Sequence, residues 1–479
     1  MNIQRIAKNT IFLFIAQIVT YILTFFYTIY IARYLGAEGF GILSFAIAFA
    51  GILSIFTDLG LSTLTFREVS RCKSLESKYL GNVALIKIIL AIVIFGIAAL
   101  ILNIVGYPKD IVNIVYIILL STILFGIAGM FNSIFQAHEK IKYVSVGLIL
   151  NSILMFFGVL FALYHTYDVI GLAFIYLFAN GVFLVYSIII CFWKFFVPKI
   201  EFDIDFWKLT LKESLPFGLT GISAMIYTYI DSVMLSLIQG NEVVGLYNAA
   251  YKLIIVLMYI PDVINITIFP SMSKFYISSQ DSLRIIKEKY FKLMVITGIP
   301  MGAAITILAD QIIILVFGTG YSSSIIALQI LVWTIVFAFG GAAFIRLLEA
   351  TNKQIVVTKI SFICVIFNIL LNLVLIPKFS YIGASISTVL TEIILVGGAI
   401  GMSYKLGYGI PFKRVIVDLL KIIFATLIMS IFIFYFKGLN LLISLILAAL
   451  IYLVILYLVN GIDNEDIYLF KQLLRYKNY

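Results

Sequence analysis

The chain has 479 residues, of which 63% are hydrophobic and 12% are charged, and its formal net charge is +10. Soluble domains carry roughly 25% charged residues, so this composition excludes an ordinary soluble protein and indicates a polytopic membrane protein. Its three cysteines show no metal-ligand spacing and it has only two histidines, so we infer no disulfide framework, metal site or cofactor. No basic block alternates with aromatic residues, and we expect no nucleic-acid partner.

Fourteen apolar runs reach the length of about twenty residues that a membrane-spanning helix needs. Their approximate limits are 11–32, 40–62, 80–104, 111–135, 143–164, 169–192, 215–238, 244–269, 291–316, 322–348, 355–376, 382–403, 415–436 and 440–459. The first run lacks a small-residue cleavage site and is too long for a signal-peptide core. It is therefore predicted to remain as a membrane helix.

The distribution of lysine and arginine predicts the orientation of these helices, since cytoplasmic loops hold an excess of both. With the N-terminus inside, 25 of the 33 basic residues fall in the tails, the even-numbered loops and their flanks, and four fall in the odd-numbered loops. We therefore expect a multi-pass protein of the cytoplasmic membrane with both termini in the cytoplasm.

A glycine-containing motif occurs twice in the chain. Residues 36–46 (GAEGFGILSFA) match residues 240–250 (GNEVVGLYNAA) at a shift of 204, and the register carries Asp58 onto Asp262. Further along the chain the two halves match again, more weakly, at a shift of 212 to 213 residues. This duplication of six helices predicts an all-α membrane protein with two six-helix lobes, related by a pseudo-two-fold axis along the membrane normal, plus two extra C-terminal helices. Asp58 and Asp262 should occupy equivalent positions.

The repeat also defines the expected domains. We predict an N-lobe over 1–195, a cytoplasmic linker over 196–214, a C-lobe over 215–405, and helices thirteen and fourteen with the tail over 406–479.

Four basic residues lie within apolar runs, namely Lys87, Lys252, Arg346 and Lys421. A charge at the centre of a spanning helix costs about 2.5 to 3.5 kcal/mol on insertion scales, so such residues should face a wet cavity or a partner. Lys252 is the deepest and is predicted to reach a cavity. Arg346 has two interpretations, since it could enter the cavity or pair with Glu349 three residues on. Lys87 could enter the cavity or extend to the interface, and Lys421 is interpreted as structural.

Polar and acidic residues accompany these cations. Asn248 lies one helical turn before Lys252, Tyr251 pairs with Tyr247 at i, i+4, and Tyr227 precedes Asp231 by four residues. The principal acids in apolar runs are Asp58, Asp231, Asp262 and Glu392. Such carboxylates either pair with the cations or carry H⁺ or Na⁺, and both interpretations stay open.

Four segments together resemble a known family. They are residues 33–41 (RYLGAEGFG), 58–61 (DLGL), 230–235 (IDSVML) and 244–253 (VGLYNAAYKL). In their order and spacing within fourteen helices they resemble the Wzx-type oligosaccharide flippases of the multidrug/oligosaccharidyl-lipid/polysaccharide exporter superfamily. The resemblance covers essentially the whole chain.

This resemblance implies a transporter that moves a polyprenyl-diphosphate-linked oligosaccharide from the cytoplasmic to the outer leaflet by alternating access, with H⁺ or Na⁺ as a candidate coupling ion. The implied partners are this lipid-linked glycan, membrane lipids, and a glycan polymerase or glycosyltransferases. The residues assigned to substrate binding are Lys252, Arg346, Lys87, Asn248, Tyr251 and Tyr227. Those assigned to ion coupling or charge balance are Asp231, Asp262, Asp58 and Glu392.

Two other branches of the superfamily remain as alternatives. A lipid II flippase is disfavoured, because resemblance to that branch implies arginines in the first helix that contribute to the headgroup site, whereas residues 11–32 contain no basic residue. A multidrug or cation antiporter would favour an acidic cavity.

An enzyme is the competing class outside transport. Asp203 and Asp205 form the Asp-x-Asp pair that metal-dependent glycosyltransferases use, but they lie in a short linker without a nucleotide-binding fold. We therefore predict that the chain is not an enzyme and that this pair belongs to a solvated linker.

Overall fold

The structure is a computed structural model and describes residues 3–198, 201–409 and 412–462. Thirteen α-helices cover nearly all of these residues, and no strand occurs among them. Their bounds are α1 Ile3–Asp58, α2 Leu61–Arg71, α3 Glu76–Val105, α4 Lys109–Ala137, α5 Ile141–Tyr164, α6 Val169–Lys194, α7 Ile204–Gln239, α8 Asn241–Ser278, α9 Gln280–Phe317, α10 Ser324–Ala350, α11 Gln354–Lys405, α12 Phe412–Tyr435 and α13 Leu441–Leu458. Single 3₁₀ turns, Lys73–Leu75 and Thr319–Tyr321, precede α3 and α10.

Twelve helical stretches of the described chain are long and apolar enough to cross a membrane. Two of these stretches, of 48 and 52 residues, are about twice the length that one crossing needs. Each contains one residue with a non-helical backbone, Gly36 (φ 66°) in α1 and Ser380 (φ 54°) in α11. Dividing α1 and α11 at these residues gives the fourteen predicted membrane helices, which confirms the all-α polytopic fold class.

Several predicted loops are helical instead. Helix α7 begins at Ile204, eleven residues before the predicted span, and only Ser279 separates α8 from α9. Asp203 and Ser279 cap the following helices, because their side chains accept hydrogen bonds from the backbone N–H groups of Phe206 and Ser282. These extensions are polar, so a search for apolar runs does not detect them.

Helix α2 is also absent from the sequence prediction. Its buried residues are Leu61, Leu64, Thr65 and Val69, which form one face of a short amphipathic helix. At eleven residues it is too short to cross a membrane.

The chain divides into two compact units, Met1–Gly245 and Leu246–Tyr479. In the first, a cluster around Leu64, Val83 and Phe135 packs α2 and α3 against α4 and α6. In the second, α12 and α13 pack on α9 through an apolar cluster that includes Leu308, Ala425 and Ala448. A hydrogen bond from the Tyr452 hydroxyl to the Ile296 carbonyl oxygen (2.8 Å) adds to this contact. The last two predicted helices are thus attached to α9.

The two copies of the glycine motif contact each other within the first unit. A Cβ atom on Gly41 would overlap the carbonyl oxygen of Asn241, and a Cβ atom on Gly245 would overlap that of Ala37. Because 37 and 41 map onto 241 and 245 at the shift of 204, the contact is reciprocal, as two-fold symmetry requires. Both glycines are needed since neither position has room for a side chain.

Substituting Gly245 by alanine is therefore expected to destabilise the folded protein by about 1–3 kcal/mol, the usual cost of overpacking. The added methyl group meets backbone atoms, which cannot rotate away. The midpoint of thermal unfolding in detergent, followed by size-exclusion chromatography, measures the effect. Gly126→Ala is the matched control because no atom lies within 4 Å of its Cβ position. Equal midpoints for the two variants would contradict the close approach.

Candidate substrate-binding and ion-pairing sites

Lys252 lies well inside the membrane-spanning part of α8. It follows the start of this helix by eleven residues, about 16 Å at about 1.5 Å per residue. Its side chain is partly exposed, and it has no hydrogen-bond or ion-pair partner among the residues that the structure describes. A lone ammonium at this depth would be costly against lipid. It is therefore placed to face water or an anionic ligand.

The residues predicted to surround Lys252 differ in their burial. Asn248, one turn earlier, is buried, whereas Tyr251 keeps partial exposure. The rings of Tyr247 and Tyr251 stack with their centroids 5.5 Å apart, which confirms the predicted i, i+4 pair. The hydroxyls of Tyr247 and Thr388 lie 3.1 Å apart and hold the stack against α11. Tyr251 thus presents a fixed aromatic surface one residue before Lys252.

Arg346 on α10 pairs with two carboxylates. Its guanidinium lies 2.7 Å from Glu349 Oε2 and 3.8 Å from Asp262 Oδ1. The Asp262 side chain is 63% exposed, while those of Arg346 and Glu349 are 34% and 27% exposed. The predicted i, i+3 pair of Arg346 with Glu349 is present, and the contact with Asp262 joins α8 to α10. The cluster thus holds one positive charge, that of Arg346, and two carboxylates, those of Glu349 and Asp262.

The ammonium of Lys87 on α3 has three acceptors within the protein. It lies 2.6 Å from Asp58 Oδ1 and donates to Ser62 Oγ and to the Gly126 carbonyl oxygen, both at 2.9 Å. The Lys87 side chain is 2% exposed. An ammonium has three protons, and each has an acceptor here. This geometry favours a structural role for Lys87 and Asp58 over a role in substrate binding.

The other predicted acids, Asp231 on α7 and Glu392 on α11, are 4% and 5% exposed. Tyr227, one turn before Asp231, is partly exposed. On α11, Asn372 donates to Asn368 Oδ1 (3.0 Å). Asn368 donates in turn to the Thr391 hydroxyl, which neighbours Glu392 in sequence (3.4 Å). The sequence analysis missed this amide network, although the spacing of Asn368 and Asn372 by four residues in an apolar run could have indicated it.

Asp203 of the Asp-x-Asp pair has a structural role. Its carboxylate caps α7, accepting from Phe206 N–H (2.9 Å), and pairs with Lys78 Nζ (2.8 Å). These contacts, led by the Lys78 hydrogen bond, hold the pKa of Asp203 below its ordinary value. The Asp205 side chain, in contrast, is 96% exposed. Among the described residues, no group of three or more His, Cys, Asp or Glu side chains is arranged to hold a metal ion.

The chain resembles proteins of polysaccharide and glycan biosynthesis along most of its length. It is 24% identical over 409 residues to the capsular polysaccharide biosynthesis protein CapF of Staphylococcus aureus, covering 81% of this chain and 96% of that protein. It is 23% identical over 388 residues to the protein named "Probable low-salt glycan biosynthesis flippase Agl15" of Haloferax volcanii, covering 81% of each.

The fold matches a solved flippase structure. The lipid II flippase MurJ, in an inward closed conformation, superposes with a TM-score of 0.75 at 18% identity, covering 93% of this chain and 98% of that one. In sequence, the model of the polysaccharide biosynthesis protein family matches residues 6–276, more than half of the chain. These findings confirm the resemblance to oligosaccharide flippases, and the chain belongs to the polysaccharide biosynthesis protein family.

Proposed function

We propose that this protein moves a polyprenyl-diphosphate-linked oligosaccharide from the cytoplasmic to the outer leaflet of the cytoplasmic membrane. The observation that carries the proposal is the cation at Lys252, deep in a spanning helix and without a protein counter-ion among the described residues. A diphosphate is the anionic part of such a lipid. In a site of low dielectric a fixed cation attracts it more strongly than in water.

The charge of this site separates the proposal from its main alternative. A multidrug or cation antiporter needs an unpaired acid to attract its cargo. Asp262 instead lies beside Arg346, and Asp58 lies beside Lys87. Lys252 has no such partner. The likeness to MurJ at 18% identity concerns the fold, so it does not favour lipid II as the cargo.

Orientation and partners complete the proposal. The bias of basic residues supports cytoplasmic termini. In this orientation the lipid is loaded on the side where glycosyltransferases build the glycan and is released where a polymerase acts, so both are proposed partners. We retain the division into halves 1–195 and 215–405, joined by 196–214 and followed by 406–479, as the proposed units of alternating access.

A reconstitution experiment tests the function. Proteoliposomes containing the purified protein and an undecaprenyl-diphosphate-linked oligosaccharide are treated with a membrane-impermeant glycosidase. The protein is expected to raise the cleaved fraction from about half to nearly all of the lipid, because the inner-leaflet pool becomes accessible. Proteoliposomes that accumulate ethidium in exchange for protons but leave the glycan protected would support the antiporter instead.

We further propose that a carboxylate releases the load. A site that stayed strongly cationic would trap the diphosphate, whereas a nearby anion weakens the hold of the cation. Asp231 and Asp262 are the candidates, since they lie on α7 and α8, and α8 also carries Lys252. The alternative is that both carboxylates are permanent counter-ions of the cations and do not respond to ion gradients.

Asparagine substitutions distinguish these two roles. If either aspartate couples transport, folded Asp231→Asn or Asp262→Asn protein should export glycan at a rate that no longer responds to collapse of the H⁺ or Na⁺ gradient. Glycan export in cells treated with an ionophore is the measurement. Wild-type gradient dependence in both variants would refute the coupling role, whatever their overall rates.

A further inference from the structure

A neutral polar patch lies in the first unit, within the membrane-spanning part of α1, α5, α6 and α7. We call it the tyrosine–amide patch, and its members are Thr24, Tyr27, Asn151, Tyr176, Asn180 and Tyr229. None of the six is charged. The sequence analysis assigned no role to any of them.

The three tyrosines converge from different helices. The rings of Tyr27 and Tyr176 meet edge to face with their centroids 6.5 Å apart, and Tyr229 lies near both residues. The helices that carry Tyr27, Tyr176 and Tyr229 have their nearer ends at Gly36, Asp168 and Gly240, respectively. At a rise of about 1.5 Å per residue, each tyrosine lies about 12–16 Å from that end. Since successive spans alternate in direction, these three ends are on the same side of the membrane. The patch is therefore deep in the bilayer region.

Two amides extend the patch along α5 and α6. Asn180 follows Tyr176 by four residues, so both lie on one face of α6. Asn151 Nδ2 donates to Asn180 Oδ1 (2.9 Å), and Asn180 Nδ2 donates to the Ser121 hydroxyl (2.9 Å). Both asparagine side chains remain partly exposed. These bonds fix the orientation of the Asn180 amide.

Two polar atoms of the patch have no partner in the described part of the chain. They are the Tyr229 hydroxyl and Asn151 Oδ1, and both residues are partly exposed. A polar group without a hydrogen bond costs several kcal/mol in hydrocarbon, so these atoms face water or a polar ligand. The Tyr229 ring is also held in place, because it packs against Gly51, where a Cβ atom would lie 2.7 Å from the ring.

We propose that the tyrosine–amide patch is the subsite for the neutral sugars of the lipid-linked oligosaccharide. Phenol rings give sugar rings a flat apolar surface, while hydroxyls and amides donate and accept hydrogen bonds as sugar hydroxyls require. The patch has no positive charge to attract the anionic diphosphate, which we assign to Lys252. The inference rests on the proposed function, which it extends by assigning separate residues to the two parts of the cargo.

The experiment compares two lipids on protein in nanodiscs. One probe is the lipid-linked oligosaccharide pool extracted from membranes of the cells that make this protein, and the other is undecaprenyl diphosphate, which carries no sugar. Tyr229→Phe removes only the hydroxyl, which bonds to no described residue, so a purely structural role predicts no change. We expect 5- to 10-fold weaker binding of the glycan-bearing lipid, the loss of about one hydrogen bond, and unchanged binding of undecaprenyl diphosphate.

Two further variants sharpen the result. Gly51→Ala displaces the Tyr229 ring without altering its chemistry and should weaken the same probe. Tyr164→Phe, whose side chain is 84% exposed at the end of α5, should bind both lipids like the wild type. Unchanged glycan-lipid binding by Tyr229→Phe, or equal weakening of both lipids, would overturn the sugar subsite. Wild-type protein that binds neither lipid would overturn the proposed function, and the subsite with it.

Discussion

Lys252→Ala is expected to abolish glycan export in cells while leaving the amount of protein in the membrane unchanged. A charge-assisted hydrogen bond to a diphosphate is worth about 1.5–3 kcal/mol, so its loss weakens binding roughly 10- to 150-fold. The native ammonium has no protein partner among the described residues, so its removal leaves no carboxylate unpaired. Glycan at the cell surface, normalised to immunoblotted membrane protein, is the measurement.

Two other substitutions control this experiment. Lys252→Arg keeps the charge and should retain export, although a planar guanidinium will fit less well than an ammonium. Lys421→Ala removes a lysine that also lies in an apolar run but is partly exposed and donates to the Asn460 carbonyl oxygen (2.8 Å), and the export by this variant should be normal. Normal export by Lys252→Ala would show that this lysine does not anchor the cargo.

The second large effect is expected on stability. Lys87→Ala removes the counter-ion of Asp58 and the donor to Ser62 and Gly126 in one step. Breaking a buried ion pair from one side typically costs about 3–5 kcal/mol, because the remaining charge stays buried without compensation. We therefore expect little folded Lys87→Ala protein, measured as the monodisperse fraction after extraction in mild detergent.

A double substitution separates this stability effect from a transport effect. Asp58→Leu combined with Lys87→Met replaces the pair by apolar side chains, and such replacements are often neutral or stabilising. The double variant should recover folded protein and, under the structural interpretation, export as well. Stable double-variant protein that exports nothing would return Lys87 to the substrate site predicted from the sequence.

The membrane explains why so much of this fold was predictable. Backbone polar groups have no partner in hydrocarbon, so each apolar run of sufficient length must form a helix, and the fourteen spans follow from counting. Side-chain contacts within one helix could be predicted from the sequence equally well. The pairs Tyr247 with Tyr251 and Arg346 with Glu349 follow from the 3.6-residue period alone.

Contacts between distant helices were not predictable in this way. Periodicity assigns Lys87 and Tyr176 to a face of a helix but does not say which neighbour that face meets. The pairing of Lys87 with Asp58, and the convergence of Tyr27, Tyr176 and Tyr229, appear only once the helices are packed. The role of Asp203 was misjudged for a related reason, since its partner Lys78 lies 125 residues earlier.

The reciprocal contact of Gly41 with Asn241 and of Gly245 with Ala37 has the form of a symmetric subunit interface. The two sides of this contact bury matching positions of one motif, which is what two identical subunits do across a symmetry axis. Six helices per copy return the chain to its starting side, so separate copies would insert in parallel and could meet in this way. The 36–46 and 240–250 motifs thus make, within one chain, the kind of contact that a homodimer makes between its subunits. Because the contact is reciprocal, alanine at either glycine would meet backbone atoms of the other motif, so the two positions constrain each other.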